Sequence, residues 1–445
     1  MKKVLILGYG ISGQAAARLA VYKGYSVTIA DEGNIKSSDA INRYQIISGW
    51  KPGTAFDQYD LAVISPGISI HSPMADAVRK SGTPVIGELE FAADSLPCKI
   101  IAITGTNGKT TTTELTTALL QGAGYRAESA GNIGIPLSDL ALELHNKTRS
   151  LDLLVVETSS FQLESMEHYK PYSAAFLNLA SDHINRHGSL KKYADAKFRL
   201  FQNMNRSREN CIINRNLTNE WNRHYPDTTP VTFTSGKENA DFHVCNNMLC
   251  FRNSPIFNRE KISLPGEHNT ENILAALALF HTIAGDTALF SEEVKKTLSG
   301  FSPDRHRLEC FAEKNGIRYI DDSKATNPHS VNAALRTFGK ERNILLLLGG
   351  SDKDMDFSCI AEDSKTVKQA FLYGQSAQKI FNTLQASLPC TVMDSFESAV
   401  ENACRGAESG DTVMLSPACA SFDLFKSYKA RGERFQELVF QYLKK

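Results

Sequence analysis

A glycine-rich loop near residue 105 has the residue types and spacing of a phosphate-binding site. The stretch ITGTNGKTTTTEL, residues 103–115, contains an apolar strand, a loop with one lysine and a threonine-rich helix start. Backbone N–H groups along such a loop can surround an anion, and here the loop consists of Gly105, Thr106, Asn107 and Gly108. Lys109 can reach the outer phosphates, and the hydroxyl of Thr110 or Thr111 can bind Mg²⁺. Although Ile103 replaces the first glycine of the general GxxxxGK[ST] pattern, the stretch predicts ATP binding; the alternative is a glycine turn capped by threonines.

Three groups downstream could complete a phosphate and metal site. Glu157 ends the strand in LLVVETSSFQLE and is suited to hold a metal ion directly or through water, or else it is a solvated acid beside a turn. His183 follows the strand SAAFLN and belongs to the motif DHINRH. It is either a metal ligand or an ordinary loop histidine. Lys197 lies four residues after Tyr193 on one helical face, and the simplest interpretation is a solvated face.

A second glycine loop lies near the N-terminus. Gly8, Gly10 and Gly13 follow a strand and open a helix, and Asp31 ends the next strand 23 residues after Gly8. This spacing permits a tight turn, close approach of a ligand and a helix N-terminus directed at negative charge. Taken alone it favours a nicotinamide dinucleotide, or a nucleotide-binding fold without a bound dinucleotide.

Polar residues at later strand and helix ends could bind nucleotides or carboxylates. GEHNTENILAALALF starts a helix with Asn269 and Asn272 three residues apart, where both amides could cap the helix or bind a base edge. Charged and hydroxyl groups after the later strands could neutralise or bind anions, namely Arg307, Asp322, Lys324, Thr326 and Lys353. Ser416 and Ser421 are expected to cap a helix or bind an anion, and Cys419 to be a small buried residue.

The elements that must position these groups indicate an α/β fold. Continuous apolar strands such as KVLILG, CKIIAIT, DLLVVE and RNILLLLGG alternate with helical patterns, which is typical of parallel sheets covered on both faces. Breaks near residues 92–98 and 299–306 divide the 445 residues into three domains, 1–94, 95–299 and 300–445. Residues 203–262 are polar, weakly periodic and the least informative part of the chain.

Composition excludes several classes of partner. The 49 basic and 49 acidic residues cancel, so the field that draws proteins to nucleic acid or acidic membranes is absent. Apolar runs such as ILLLL are shorter than the roughly 20 residues of a membrane span. Nine cysteines without a CxxC pair fit reduced thiols in a cytoplasm and predict no zinc site. We therefore expect a soluble cytoplasmic protein with small-molecule partners, no nucleic acid and no membrane.

Several motifs in one order resemble the Mur ligase family, and within it the branch that adds D-glutamate. They cover nearly the whole chain: GYGISG, SPGI at 65–68, TGTNGKTTT, GNIG at 131–134, ETSSFQLE, DHINRH, YADAK, GEHNTEN, DDSKATNP and SPACASFDLF. The resemblance implies an N-terminal Rossmann-like domain for the acceptor, a central P-loop ATPase with a parallel sheet, and a C-terminal Rossmann-like domain for the amino acid. It implies ATP-dependent joining of D-glutamate to UDP-N-acetylmuramoyl-L-alanine through an acyl phosphate, in peptidoglycan precursor synthesis.

The resemblance also implies roles for individual residues. Lys109 and Thr110 would contact phosphate and Mg²⁺, Glu157 and His183 would bind two Mg²⁺ ions, and a carbamylated Lys197 would position the second ion. Asn272, with Asn269, would bind adenine, Arg307 a phosphate and Asp322 the ribose. The acceptor would contact Ser12, Asp31, Gly67, Asn132, Ser159 and His183. D-Glutamate would contact Thr326, Lys353, Ser421 and Tyr428. A monomer is expected.

Departures from the family pattern leave alternatives open. Asn185 replaces a common aspartate, Ser427 and Tyr428 replace an Asn-Phe pair, and the stretch DEGNI makes Asp31 the weakest substrate assignment. A sibling ligase for L-alanine or a diamino acid is disfavoured by SPACASFD and by the lack of a DNPR-type run. A folate polyglutamate ligase would lack the leading Rossmann-like domain. A nicotinamide oxidoreductase or a non-catalytic nucleotide sensor would explain GYGISG alone.

Overall fold

The computed structural model describes residues 1–35, 38–132, 135–146, 150–205, 210–236, 239–302, 305–351 and 355–444. The chain forms two compact units. The first comprises Met1–Leu179, Arg186–Ile262 and Glu271–Phe301, and the second comprises Ala180–Asn185, Ser263–Thr270 and Ser302–Lys445. Each unit is described by itself.

The first unit begins with a parallel sheet flanked by helices. Its strands are β1 (Lys3–Leu7), β2 (Ser26–Asp31), β3 (Gln45–Ser48), β4 (Leu61–Ile64) and β5 (Val85–Gly87), and its helices are α1 (Ile11–Tyr22), α2 (Ser38–Arg43), α3 (Pro73–Lys80) and α4 (Glu88–Ala93). The described strands have the spatial order β3-β2-β1-β4-β5 with every pairing parallel. The order reverses at β1, which is where doubly wound sheets bind ligands.

A larger mixed sheet follows in the same unit. Its strands are β6 (Lys99–Thr104), β7 (Ala127–Gly131), β8 (Leu153–Glu157), β9 (Ser173–Phe176), β10 (Cys211–Asn214), β11 (Val231–Thr234), β12 (Phe242–Cys245), β13 (Met248–Phe251) and β14 (Ser254–Asn258). The helices in this stretch of chain are α5 (Lys109–Gly122), α6 (Leu137–His145), α7 (Ser160–Glu164), α8 (Ile184–His187), α9 (Leu190–Phe198), α10 (Thr218–His224), α11 (Glu267–Leu289) and α12 (Glu292–Gly300). The described strands are ordered β14-β13-β12-β11-β10-β9-β6-β8-β7.

The second unit contains the third sheet. Its strands are β15 (Glu309–Lys314), β16 (Ile317–Asp321), β17 (Ile344–Gly349), β18 (Val367–Tyr373), β19 (Cys390–Val392) and β20 (Thr412–Leu415), and its helices are α13 (Pro328–Phe338), α14 (Ala377–Leu384), α15 (Phe396–Gly406) and α16 (Tyr428–Leu443). The described strands are ordered β15-β16-β20-β17-β18-β19, and only the β15-β16 pairing among them is antiparallel.

The three sheets confirm the predicted three-domain α/β class. Strands β8 and β17 are buried at every position, as their continuous apolar sequences indicate for sheets covered on both faces. The antiparallel hairpins were not predicted, although Asn246-Asn247 and Asn315-Gly316 at their turns all have positive φ, the conformation that tight hairpin turns require. The domain limits at 94/95 and 299/300 remain predictions.

Among the described helices, one is long and apolar enough to cross a membrane by length and composition alone. It is α11, and 56% of its most apolar window is buried in the structure. Core helices of soluble proteins have the same length and composition, so the finding is weak support for a span. The sequence analysis predicted a helix start in GEHNTENILAALALF and did not consider this helix as a membrane span.

Candidate active site

The predicted phosphate loop joins β6 to α5 in the first unit. Gly108 precedes the helix with φ of 82°, a left-handed conformation that favours glycine. A Cβ atom at Gly108 would lie 2.1 Å from Oδ1 of Asn272, which is buried. The loop therefore needs glycine for its backbone conformation and for the close approach of α11.

Lys109 and Asn178 fix the shape of the loop. The Lys109 ammonium donates to the carbonyl oxygens of Gly105 and Thr106, both at 2.9 Å. Asn178, just after β9, accepts from the Asn107 amide at 2.8 Å through Oδ1, and its side-chain amide donates to the Asn107 carbonyl at 3.0 Å. Sequence analysis missed Asn178, which has no motif spacing and is brought to the loop by strand order.

A chain of hydrogen bonds leaves the loop at Thr110. The Thr110 hydroxyl donates to Oε2 of Glu157 at 2.6 Å, and the Asn132 side-chain amide donates to Oε1 of the same carboxylate at 2.9 Å. Glu157 is 3% exposed, so the interpretation as a solvated acid is wrong. A hydroxyl beside a buried carboxylate supplies the hard oxygen ligands that Mg²⁺ prefers, and the residues present fit that ion.

Lys197 contacts the same loop from α9. Its ammonium donates to the Gly105 carbonyl at 2.8 Å and lies 4.6 Å from the ring centre of Tyr193. The side chain is 1% exposed, so the expectation of a solvated face is wrong. The four-residue spacing does place Lys197 and Tyr193 together, but on a buried face. Periodicity alone could not choose between the two faces.

A cavity of about 690 Å³ in the first unit collects four of the predicted acceptor residues. Ser12, Asp31, Gly67 and Asn132 all line it. Other residues that the sequence analysis did not assign also line it, among them Glu32, Ser65, Ile68, Ser72, Glu88 and Gln162. The volume suits a nucleotide-sized ligand.

Two carboxylates in the cavity wall have different environments. Asp31 accepts from the Tyr9 amide at 2.8 Å and from the Gly33 amide at 2.7 Å, so it also shapes the first glycine loop. Glu88 is buried, and its Oε1 accepts from the amide and the hydroxyl of Ser138 at 2.8 and 2.6 Å. Burial raises the pKa of Glu88, against the opposing effect of the Ser138 hydrogen bonds.

Three other predicted residues have local structural contacts. Ser159 caps α7 in a capping box with Gln162 and is absent from the described cavity lining. His183 belongs to the second unit, has φ of 53°, and its amide donates to Asp182 at 2.9 Å. The Asn269 side chain donates to the Pro265 carbonyl at 2.7 Å. These contacts leave the predicted binding roles untested.

In the second unit, Asp322 has a strongly perturbed carboxyl group. It accepts from the Ser416 hydroxyl at 2.8 Å and the Leu308 amide at 3.3 Å. Burial raises the pKa of Asp322 to about 7, while those hydrogen bonds and the charge of Arg307 act in the opposite direction. Perturbed carboxyls of this kind often mark binding sites. The positive charge of Arg307 is close enough to act on the pKa of Asp322, so the two predicted nucleotide residues are neighbours.

The predicted D-glutamate residues follow strands at one edge of the third sheet. Strand β20 pairs in parallel with both β16 and β17, so the loops after all three strands leave at the same edge. Thr326 follows β16, Ser421 follows β20, and Tyr428 begins α16. The Ser323 hydroxyl donates to the Tyr428 carbonyl at 2.8 Å, which joins two of these segments. Lys353 lies outside the described residues, and Cys419 is buried as predicted.

A buried polar cluster next to these loops was not predicted. His306 lies 2.7 Å from Asp321 through Nδ1, and its amide donates to Glu309 at 2.9 Å. Gln436 donates to both carboxylates, at 2.9 and 3.1 Å. The three titratable groups are close enough to hold a metal ion, but their mutual hydrogen bonds also explain the arrangement as structural.

Three known protein families match successive parts of the chain. Residues 2–87 match the family described as Mur ligase MurD-like, N-terminal domain, residues 103–280 match Mur ligase middle domain, and residues 306–419 match Mur ligase, glutamate ligase domain. Two similar curated proteins are named UDP-N-acetylmuramoylalanine--D-glutamate ligase. The one from Koribacter versatilis is 37% identical and covers 98% of this chain and 97% of its own. The one from Caldanaerobacter subterraneus is 36% identical, with 98% of each chain covered.

Solved structures with low sequence identity share the fold. A pseudomurein peptide ligase type C from Methanothermus fervidus has a TM-score of 0.63 at 17% identity and covers 99% of this chain and 100% of its own. UDP-N-acetylmuramate-alanine ligase MurC from Thermotoga maritima has a TM-score of 0.59 at 18% identity, with coverage of 99% and 100%. At this identity the likeness establishes the fold alone.

Proposed function

The chain belongs to the Mur ligase family, whose members are ATP-dependent, and we propose that it joins D-glutamate to UDP-N-acetylmuramoyl-L-alanine in peptidoglycan synthesis. Relatives with 36 to 37% identity over almost the full chain carry the name of this ligase. The reaction is amide formation coupled to conversion of ATP to ADP and phosphate.

One structural observation carries the proposal. Two hydrogen bonds through Glu157 connect Thr110 of the phosphate loop with Asn132 in the wall of the large cavity. A nucleotide phosphate on the loop and an acceptor in the cavity would therefore approach the same carboxylate. This is the geometry that a phosphoryl transfer between two bound substrates requires.

The reaction proceeds in two steps. An oxygen of the L-alanyl carboxylate attacks the γ-phosphorus of ATP, the bond to the bridging oxygen breaks, and ADP leaves. The amine of D-glutamate then attacks the carbonyl carbon of the acyl phosphate, phosphate leaves, and the amine loses a proton. In the first step the attacking carboxylate and the γ-phosphate are both anionic, so positive charge from Lys109 and the N-terminus of α5 lowers their repulsion.

Thr110, Glu157 and His183 are the proposed protein ligands of two Mg²⁺ ions, which would neutralise phosphate charge and help to align the reacting oxygens. We also propose that Lys197 is carbamylated. A neutral or cationic amine cannot ligate a hard cation beside phosphate, whereas a carbamate carboxylate can. The buried position of Lys197 next to Gly105 supports this proposal.

The remaining substrate contacts are assigned to the second unit. Arg307 and Asp322 would contact the nucleotide, and Thr326, Lys353, Ser421 and Tyr428 would hold the two carboxylates of D-glutamate. The support is the shared sheet edge from which the loops after β16, β17 and β20 leave. Adenine would contact Asn272, supported by its position against Gly108.

Phosphate release from Mg²⁺-ATP tests the proposal. The assay contains UDP-N-acetylmuramoyl-L-alanine and, in parallel, D-glutamate, L-glutamate, L-alanine or a diamino acid. We expect release that requires both the nucleotide sugar and D-glutamate. Release with another amino acid would assign the chain to a sibling ligase, and tight NADH binding without ATP turnover would favour the oxidoreductase alternative.

Two further expectations remain predictions. A monomer would give one species of about 49 kDa in light scattering at all concentrations. A cytoplasmic location is compatible with nine free cysteines. Fractionation of cells that produce the native chain would test the location.

A further inference from the structure

Arg186 makes an unusual set of contacts for a residue outside the proposed catalytic groups. Its Nη1 donates to the Pro66 carbonyl at 3.1 Å, and its Nη2 donates to the Ile68 carbonyl at 3.2 Å. These carbonyls belong to the SPGI segment, residues 65–68, which follows β4 in the N-terminal sheet. Arg186 itself lies in the DHINRH motif, far away in the chain. One side chain therefore joins the two sheets of the first unit.

The guanidinium group is held in this orientation from its other side. Nη2 and Nε donate to Oε2 of Glu164 at 2.7 and 3.0 Å. The Phe161 ring lies 4.1 Å from the guanidinium carbon, and only 14% of the Arg186 side chain and 12% of the Glu164 side chain are exposed. A planar charge with few accessible rotamers and a low-dielectric environment makes strong, directional hydrogen bonds.

The segment that Arg186 holds forms part of the large cavity. Ser65, Pro66, Gly67 and Ile68 line that cavity, whereas Arg186 is absent from the described lining. The segment also supports the first glycine loop, because the Ser65 hydroxyl donates to the Gly8 carbonyl at 3.2 Å. A Cβ atom at Gly8 would lie 2.8 Å from Cδ1 of Ile68, so the two loops are packed closely.

We propose that Arg186 is a positioning residue for the acceptor, which holds the SPGI segment in the conformation that binds the nucleotide sugar. The inference rests on the proposed function, since it assigns the cavity to the acceptor. It assigns part of the acceptor affinity to Arg186, a residue that is absent from the described cavity lining. Ser65 also contacts the Gly8 loop, but the carbonyls of Pro66 and Ile68 both accept from the guanidinium fork, so the position of this part of the segment depends on the neighbouring sheet.

Two variants separate this role from general stabilisation. Arg186→Ala removes all of these contacts and leaves the half-buried Glu164 with His187 at 3.2 Å but without its arginine, which lowers stability as well. Arg186→Lys keeps a positive charge beside Glu164, but a single ammonium on a flexible stem cannot reproduce the planar fork to two carbonyls and a carboxylate. The lysine variant should therefore keep most of the thermal stability while the loop loses its support.

Arg18→Ala is the matched control. Arg18 on α1 pairs with Asp139 on α6 at 2.8 Å, so it also joins the N-terminal part of the unit to the middle part. Its side chain is 43% exposed, and it does not contact the SPGI segment in the described structure. This control removes an ionic contact between the same two sheets without disturbing the cavity wall.

The experiment measures kcat and the three KM values of the full chain, together with hydrogen exchange of residues 65–70. Loss of charged hydrogen bonds should raise the acceptor KM about tenfold or more in both Arg186 variants, with much smaller changes for ATP and D-glutamate. Exchange of the SPGI segment should accelerate in the same variants, and Arg18→Ala should resemble the wild type.

Two outcomes would overturn the inference. In the first, Arg186→Lys and Arg18→Ala have the same acceptor KM. In the second, all three KM values rise together with a fall in melting temperature, which would indicate general loosening. Failure of the proposed function is distinguishable, because the wild-type chain would then show no phosphate release that requires both the acceptor and D-glutamate.

Discussion

The two glycine loops of the first unit have the same local order of strand, loop and helix but different surroundings. The loop at residues 105–108 is closed by side chains from other elements, with Lys109 folded over it and Asn178, Lys197 and Asn272 against it. The loop at residues 8–13 lies open to a cavity of about 690 Å³, and the described residues that line this cavity include no lysine or arginine.

The difference shows that a glycine pattern specifies a backbone shape and leaves the chemistry to its neighbours. Both loops can present N–H groups and a helix N-terminus to a ligand. In the described structure, the loop at residues 105–108 is contacted by two lysines, half-buried Lys109 and buried Lys197, and it is followed by the hydrogen-bonded pair of Thr110 and Glu157. The loop at residues 8–13 therefore suits binding of a nucleotide portion, and the loop at residues 105–108 suits phosphoryl transfer.

The largest expected effect comes from removing Lys109 from the loop at residues 105–108. Lys109→Ala should lower kcat for ligation about a hundredfold or more, because a preorganised charge near the transferring phosphate is lost. Lys191→Ala, which removes an exposed lysine of α9, is the control. Phosphate-release kinetics of both variants check the prediction. A Lys109→Ala variant with wild-type kcat would contradict the assignment of phosphoryl transfer to the loop at residues 105–108.

Lys197→Ala tests the buried lysine that contacts the same loop. Activity should be lost and then partly restored by added short carboxylic acids, since these can supply the carboxylate that the proposed carbamate provides. Rescue should depend on acid concentration and be absent in Lys109→Ala. Mass spectrometry of the intact wild-type chain under CO₂ is a second measurement. Full activity of Lys197→Ala without any acid would contradict the carbamate proposal.

Two alanine substitutions compare packing with ligand access in the loop at residues 8–13. At Gly13 a Cβ would lie 1.9 Å from the Gly8 carbonyl oxygen, whereas a Cβ at Gly10 would have no heavy atom of the described residues within 4 Å apart from its chain neighbours. Gly13→Ala should destabilise the fold by about 1–3 kcal/mol through this overlap. Gly10→Ala should keep its melting temperature and raise the acceptor KM, because Gly10 lines the cavity. Equal melting temperatures for the two variants would contradict the packing argument.

The smallest effect concerns the wall of the open cavity. Burial raises the pKa of Glu88, so the unfolded chain releases this proton at a lower pH than the folded chain. Stability then falls as pH rises from about 4.3 through the raised pKa. Glu88→Gln should remove this fall, so urea denaturation should show the variant gaining relative to the wild type between acidic and mildly alkaline pH. If the difference in unfolding free energy between Glu88→Gln and the wild type stayed constant with pH, Glu88 would not have a raised pKa in the folded chain.

Local patterns predicted much of the fold and the proposed site. Apolar strands, both glycine loops and the positions of Ser12, Asp31, Gly67 and Asn132 at strand and helix ends followed from residue types and motif resemblance. The hairpin turns at Asn246-Asn247 and Asn315-Gly316 had a usable sequence signal that was overlooked. The burial of Lys197 and the roles of Asn178, Glu88 and Arg186 had none, because each depends on a contact from another element.

The sequence by itself determined the class of fold, the two glycine loops and the resemblance to ATP-dependent ligases. Those features depend on short-range constraints, namely side-chain periodicity, glycine conformation and motif spacing. Only the tertiary structure decided that Glu157 joins Thr110 to Asn132, and that Arg186 reaches the SPGI segment. Such contacts require strands distant in sequence to become neighbours, and strand order in a parallel sheet is set by packing of the whole sheet.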